Sequence, residues 1–280
     1  MDRQGFIDFN IRLSPNNSGK ADSYARAIMI LDEVLPYQNE IDLHDQSLYD
    51  ISDIAVIEAV LRLVNEEVKK MKNGQQNIFD YGKPNQKSYP LKNFCSAALK
   101  SLKKYAEYEQ EVVTADQIVA HETDSRTISK KLIAHFDITK EGKDIVSITK
   151  QRKGQDYFRH MILANYDNHC ALTGINIPQL LLASHIIPWS DKNHKKDRLN
   201  PGNGICLSAL YDKAFDKGLI TISPDDYTVQ LSSVLREYMT QTYYEKHFGS
   251  ISGKQMLLPI VYKPNRDFLA YHRDNIFLGL

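Results

Sequence analysis

Three residues in the second half of the chain are of types that move protons or hold reacting groups in place: His185, Asn203 and Tyr211. An imidazole with an ordinary pKa near ~6.5 is substantially neutral at cellular pH and can take a proton from water. His185 lies in a short β-compatible run, ASHII (183–187), which Pro188 terminates. Asn203 sits in the turn-forming run Asn200, Pro201, Gly202, Asn203, Gly204, and Tyr211 falls in a helix that Ser208 could cap. A strand bearing His, a turn bearing Asn and a helix bearing Tyr would converge on one small ββα platform. Taken singly, each has a plainer reading. A histidine at a strand end is more often a hydrogen-bonded structural residue than a catalyst, and an asparagine before glycine is an ordinary turn residue.

Other elements must hold that platform. Apolar spacing predicts helices over about Ala21–Leu35, stopped by Pro36, and from Ser52 or Asp53 to Asn73 and Gly74. A third is expected with Pro90 in its first turn, burying Phe94, Cys95, Ala98, Leu102 and Tyr105. These three faces could close into a bundle. Residues 113–150 are more polar and less periodic, which places an inter-domain connection there. A helix is expected over Arg152–Tyr166, then Leu180–Leu182 leading into the His185 strand, a polar loop from Ser190 to Asn203, and a second strand at Ile205–Leu207. The following helix should end at Gly218. Beyond it the pattern predicts a hairpin around Pro224, Asp225 and Asp226, a helix from about Val234 to His247, and a last helix, Arg266–Asn275, capped by Asn265.

Bulk composition excludes several classes. The 280 residues are 42% hydrophobic, enough for a real core, and no apolar run approaches a bilayer span. The opening MDRQGFIDFNIRL lacks the features of a signal peptide, so a cytoplasmic location is expected. Cys95, Cys170 and Cys206 form no CxxC pair and suit a reducing compartment. Lys plus Arg and Asp plus Glu are equal at 35 each, but the charge is uneven. Residues 150–218 carry ten basic against six acidic residues, a net of +4, and residues 1–112 carry fourteen against seventeen, a net of −3. A basic segment in a neutral chain is the footprint of a phosphate-binding site, although a solvated surface gives the same count.

The stretches GQDYFRHMILANYDNHCALTG (154–174), LLASHIIPWS (181–190), RLNPGNGICLSALYDKAFDKGLITI (198–222) and LLPIVYKPNRDFLAYHRDNIF (257–277) together resemble the HNH endonucleases, in the restriction and defence branch of bacterial nucleases. The resemblance implies an α+β chain: an N-terminal helical bundle at 1–112 for recognition, oligomerisation or regulation, a connection at 113–150, and a ββα-metal nuclease domain at 151–280 with its core at about 180–218. It implies a metal-dependent DNA endonuclease, with RNA not excluded as substrate. His185 matches the family's first histidine, the general base, and Asn203 its middle asparagine, which would tie the loop to the strand and hold the imidazole. A catalytically inactive binding protein on the same scaffold is the alternative.

The chain departs from the family at the metal. Ser184 stands where many members have an acidic residue and Tyr211 where many have the final histidine. Magnesium prefers oxygen ligands and keeps several waters, so Asp212 and Asp216, four apart on one helix face, are the candidate carboxylates, with Ser184 and Tyr211 as weaker candidates and manganese as a substitute ion. Either aspartate could instead pair with Lys213 or Lys217 on the helix surface. No structural zinc is expected, because Cys170 and Cys206 lack CxxC partners and read as small buried residues. Arg152, Lys153, Arg159, Lys192, Lys195, Lys196, Arg198 and Lys213 are the candidate DNA contacts, a solvated charged loop being the plainer reading for any one lysine. Trp189 is expected to pack at the strand exit. A homodimer would place two active sites on a duplex.

Overall fold

The computed structural model describes residues 1–13, 18–43, 46–138, 145–237 and 239–279. The chain is α+β and divides into two compact units, Met1–Thr114 and Ala115–Leu280.

The first unit is helical: α1 (Arg3–Leu13), α2 (Ser18–Val34), α3 (Ile54–Lys72), α4 (Ser88–Leu91) and most of α5 (Phe94–Ala120). Asp53 caps α3 by accepting from the Ala55 N–H, and Gly74 just beyond it takes a positive φ of 68° that a side chain would strain. The core gathers Phe6, Phe9, Ile28, Leu31, Val60, Val64, Leu99 and Leu102, all nearly inaccessible to water. Two features differ from the periodicity. Helix α1 buries Phe6 and Phe9, and the third helix is split, because Asn93 enters the left-handed region at φ 62° and leaves Pro90 in a short turn of its own.

The second unit begins inside α5 and continues through α6 (Ser125–His135), α7 (Ile145–Asn165), β1 (Leu181–His185), β2 (Gly204–Ser208), α8 (Ala209–Asp216), β3 (Ile220–Ile222), β4 (Val229–Leu231), α9 (Val234–Glu237), α10 (Gln241–His247) and α11 (Arg266–Asn275). Much of the stretch 113–150 is therefore helix. Asp124 caps α6 through the Thr127 N–H, and Ile128, Leu132, Phe136 and Ile138 are buried, a spacing diluted in the sequence by the polar residues between them. Thr240 caps α10 and interrupts the single helix expected from Val234 to His247. Asn265 caps α11 as the sequence predicts.

Two antiparallel ribbons organise this unit. β1 pairs with β2 in the register Leu181↔Ser208 to His185↔Gly204, and β3 pairs with β4. Gly204 is required by close approach: a Cβ there would lie 2.8 Å from Phe158 Cζ and overlap Ile162, so the His185 end of the ribbon lies flat on α7. Gly218, at φ 66°, ends α8 where the chain passes the backbone of Ile276. Among the described residues no helix is long and apolar enough to cross a membrane.

His272 on α11 locks β3 to α8. Its ring is 1% exposed, stacks on Phe215 at 3.7 Å and places its nitrogens 2.9 Å from Thr221 Oγ1 and 3.1 Å from the Phe215 carbonyl. Burial pushes its pKa down from 6.5 to about 4, with the Phe215 carbonyl acting in the opposite direction. A depressed folded pKa means stability that is present above pH 6.5 and lost as pH falls toward 4. Urea unfolding midpoints should fall across that window, and His272→Gln should flatten the profile by about 3 kcal/mol; an unchanged profile would assign the acid sensitivity elsewhere.

Candidate active site

His185, the last residue of β1, is half-buried, its ring stacked on Phe158 of α7 at 3.8 Å and met edge-on by Trp189 at 5.6 Å. Its Nε2 is 3.0 Å from the Arg198 carbonyl oxygen. A carbonyl only accepts, so Nε2 carries the hydrogen and Nδ1 holds the free lone pair. Loss of water pushes the pKa from 6.5 to about 4, opposed by the Arg198 carbonyl and reinforced by the Arg198 charge. The ring is thus neutral at any physiological pH, and the carbonyl stands ready to stabilise it once protonated.

Asn203 is 1% exposed and uses its whole amide. Its Oδ1 accepts from the Ile187 N–H at 2.8 Å, and its Nδ2 donates to the Ile187 carbonyl at 3.3 Å and the Asp197 carbonyl at 3.1 Å. The backbone adds Ile186 N–H to the Asn203 carbonyl at 2.9 Å. One side chain therefore joins the exit of β1 to the loop that holds the imidazole.

The neighbouring carbonyl, that of Lys196, accepts from the buried Ser129 hydroxyl of α6 at 2.7 Å. Three consecutive carbonyls, Lys196, Asp197 and Arg198, are thus taken by Ser129, Asn203 and His185, from three different elements. Ser129 and Phe158 carry no signal in the sequence as site residues. Ser129 lies 67 positions from Lys196 in a stretch that reads as a connection, and Phe158 reads as part of an apolar stripe.

Successive strand residues point to opposite faces, so Ser184 faces away from the imidazole and toward α8. It is 2% exposed, and its hydroxyl donates to Asp212 Oδ1. Asp216 lies one turn further along α8, exposed; partial loss of water raises its carboxyl pKa, and the negative charge of Asp212 adds to that, against Lys213 and Lys217. Tyr211 does not join them. Its hydroxyl donates to the His247 carbonyl at 2.6 Å and its ring meets Phe248 edge-on, so this candidate ligand is a packing residue that ties α8 to α10.

Among the described residues no group of three or more His, Cys, Asp or Glu side chains could hold a metal ion. What remains is an all-oxygen set: the carboxylates of Asp212 and Asp216 with the Ser184 hydroxyl behind the first. That set fits a hard cation such as magnesium, which is commonly held by one or two carboxylates together with waters and substrate phosphates. Cys170 and Cys206 are fully buried free thiols; Cys170 Sγ accepts from the Ser208 N–H at 3.2 Å, and burial pushes Cys206 up to about 12.

The candidate DNA contacts divide. Lys192, Lys195, Lys196 and Lys213 are exposed. Arg198 is 6% exposed; it donates to the Trp189 carbonyl at 2.8 Å and lies over the Trp189 ring, which makes both packing residues of the loop. Arg159 donates to the carbonyls of Leu181 and Pro178, bracing the entry to β1. Arg152 and Lys153 are half-buried on α7 and have interactions within the protein.

The two-strand ribbon followed by a helix forms a ββα unit, with His185 at the end of the first strand and Asn203 immediately before the second. The family model for HNH endonucleases matches residues 170–223, so this stretch of the second unit is similar to an HNH endonuclease domain. HNH nucleases generally use a divalent metal ion. A search of curated proteins gives no match.

The asparagine amide makes a separable prediction. Asn203→Ala leaves the Ile187 N–H and C=O without their side-chain partner in a buried place, at about 1–3 kcal/mol for each group left unpaired, while the Asp197 carbonyl keeps the Asn200 N–H at 3.1 Å. Asn203→Asp keeps the acceptor and loses the donor. Urea denaturation should therefore rank wild type above both variants, because Asn203→Asp also sets a buried negative charge against those carbonyls; equal stability of all three would show that the amide holds nothing.

Proposed function

We propose that the protein is a metal-dependent DNA endonuclease that hydrolyses phosphodiester bonds with His185 as general base. The observation that carries this reading is the fixed tautomer: Nε2 is held by the Arg198 carbonyl, leaving Nδ1 as a base on a ring that burial keeps neutral. Asn203 acts through the loop, as a positioning residue. Ser184 orients the Asp212 carboxylate rather than contacting the reacting phosphate, and Asp212, with Asp216 beside it, would hold the cation. A divalent ion held by these carboxylates would supply positive charge for the leaving oxygen, and the imidazole would take the proton of the attacking water. Magnesium is the ion the oxygen donors favour, with manganese as substitute. The likeness to restriction and defence nucleases supports a role in cutting foreign DNA.

Supercoiled plasmid should be cut in magnesium or manganese and left intact in chelator. His185→Ala should lower the rate by about 10²–10⁴-fold, the range of general-base catalysis, with duplex binding retained. Asp212→Asn should weaken the apparent affinity for the metal ion. A second reading has one observation in its favour: Tyr211, at the place of the final histidine, is spent on His247. A wild-type protein that binds duplex DNA and cuts with neither ion would establish that reading, a nucleic-acid-binding module on the HNH scaffold.

A further inference from the structure

Helix α6 packs against the loop that holds His185, and its charge is one-sided. Its residues Ser125–His135 include Arg126, Lys130 and Lys131 and no Asp or Glu. Lys131 is paired with Glu122 at 2.8 Å on one flank. Arg126 and Lys130, four apart, share the other flank. Arg126 is also three residues before Ser129, so this flank runs beside the buried hydroxyl bonded to the Lys196 carbonyl. Both cations are exposed; Lys130 has no anionic partner among the described residues, and Arg126 has the cap residue Asp124 near it. Two like charges at this spacing cost a helix about 0.2–0.5 kcal/mol, so the pair does nothing for folding.

Across the Ser129 link, the loop presents Lys195 and Lys196 to solvent while its acidic residues are withdrawn. Asp191 accepts from the Tyr271 hydroxyl at 2.7 Å and lies 3.0 Å from His194 Nδ1, and Asp197 is 5% exposed. Positive charge thus continues from α6 onto the loop, whose own carboxylates are withdrawn.

We propose that Arg126 and Lys130 of α6, with Lys195 and Lys196 of the loop, form a basic ridge that takes the phosphate backbone of duplex DNA and sets its register on the active site. The occupant is nucleic acid because the ridge is continuous with the loop whose next carbonyls hold Asn203 and His185 in a stretch similar to an HNH endonuclease domain. The contact is with phosphates, so it adds salt-sensitive affinity without sequence preference. The part that concerns register rests on the nuclease reading; the binding part does not.

The test uses the full chain and a fluorescently labelled duplex in chelator, with anisotropy read from about 50 to 200 mM salt. Each phosphate contact contributes about 0.9 to the slope of log K against log salt. Arg126→Gln with Lys130→Gln should lower the slope by nearly ~2 and the low-salt affinity by about tenfold or more. Arg126→Lys with Lys130→Arg should restore both, and Lys131→Gln, on the opposite flank, should change neither. An unchanged slope in the double Gln variant, an equal loss in Lys131→Gln, or no duplex binding by wild type would overturn the ridge. A wild type that binds with a ridge-dependent slope yet leaves DNA intact in magnesium supports the ridge and removes the nuclease reading. A wild type that cuts, with a double Gln variant of unchanged slope, removes the ridge and keeps the nuclease.

Discussion

The site depends on three backbone carbonyls in a row. Lys196 and Asp197 lie in a short helical turn that Arg198 closes, and the three carbonyls are taken by side chains from elsewhere, Ser129, Asn203 and His185, with the Asn200 N–H as a second donor to Asp197. A carbonyl left dry and unpaired costs on the order of 1–3 kcal/mol, so the turn and its three partners hold one another in place. Position, tautomer and basicity of the imidazole all follow from that arrangement. The carbonyl fixes the proton on Nε2, and Phe158, stacked against the ring, excludes the water that would otherwise favour its charged form.

The same constraint separates the work of two adjacent residues. β1 pleats, so His185 turns to α7 and Ser184 to α8, where its hydroxyl holds one oxygen of Asp212. Gly204 makes this possible on the far strand, because any side chain there would collide with Phe158 and Ile162 and lift the ribbon off α7. His185 is thereby braced by Phe158 of α7, and the Ser184–Asp212 pair joins the ribbon to α8.

Buried histidines serve two ends in this unit. His185 is half-buried and has one nitrogen without a protein partner among the described residues. His272 has both nitrogens occupied, on Thr221 and Phe215, and joins α11, β3 and α8. Burial pushes both pKa values down, but only His272 has both nitrogens occupied. The difference lies in the partners of the second nitrogen, and no pKa direction by itself distinguishes them.

The sequence by itself determined the ββα order, the strand that bears His185, the turn that contains Asn203, the caps at Asp53 and Asn265, and the glycine stop at Gly218. These are local matters, set by periodicity, φ preference and the hydrogen bonds of a few neighbouring residues, so they can be read along the chain. Tertiary structure decided which of the polar residues face the site. Tyr211 went to His247, Arg159 and Arg198 to backbone carbonyls, and Ser184 to Asp212, because a side chain's partner is chosen by packing between elements far apart in sequence. Ser129 is the clearest instance: nothing near it marks it, and only the docking of α6 on the loop gives its hydroxyl a carbonyl to hold.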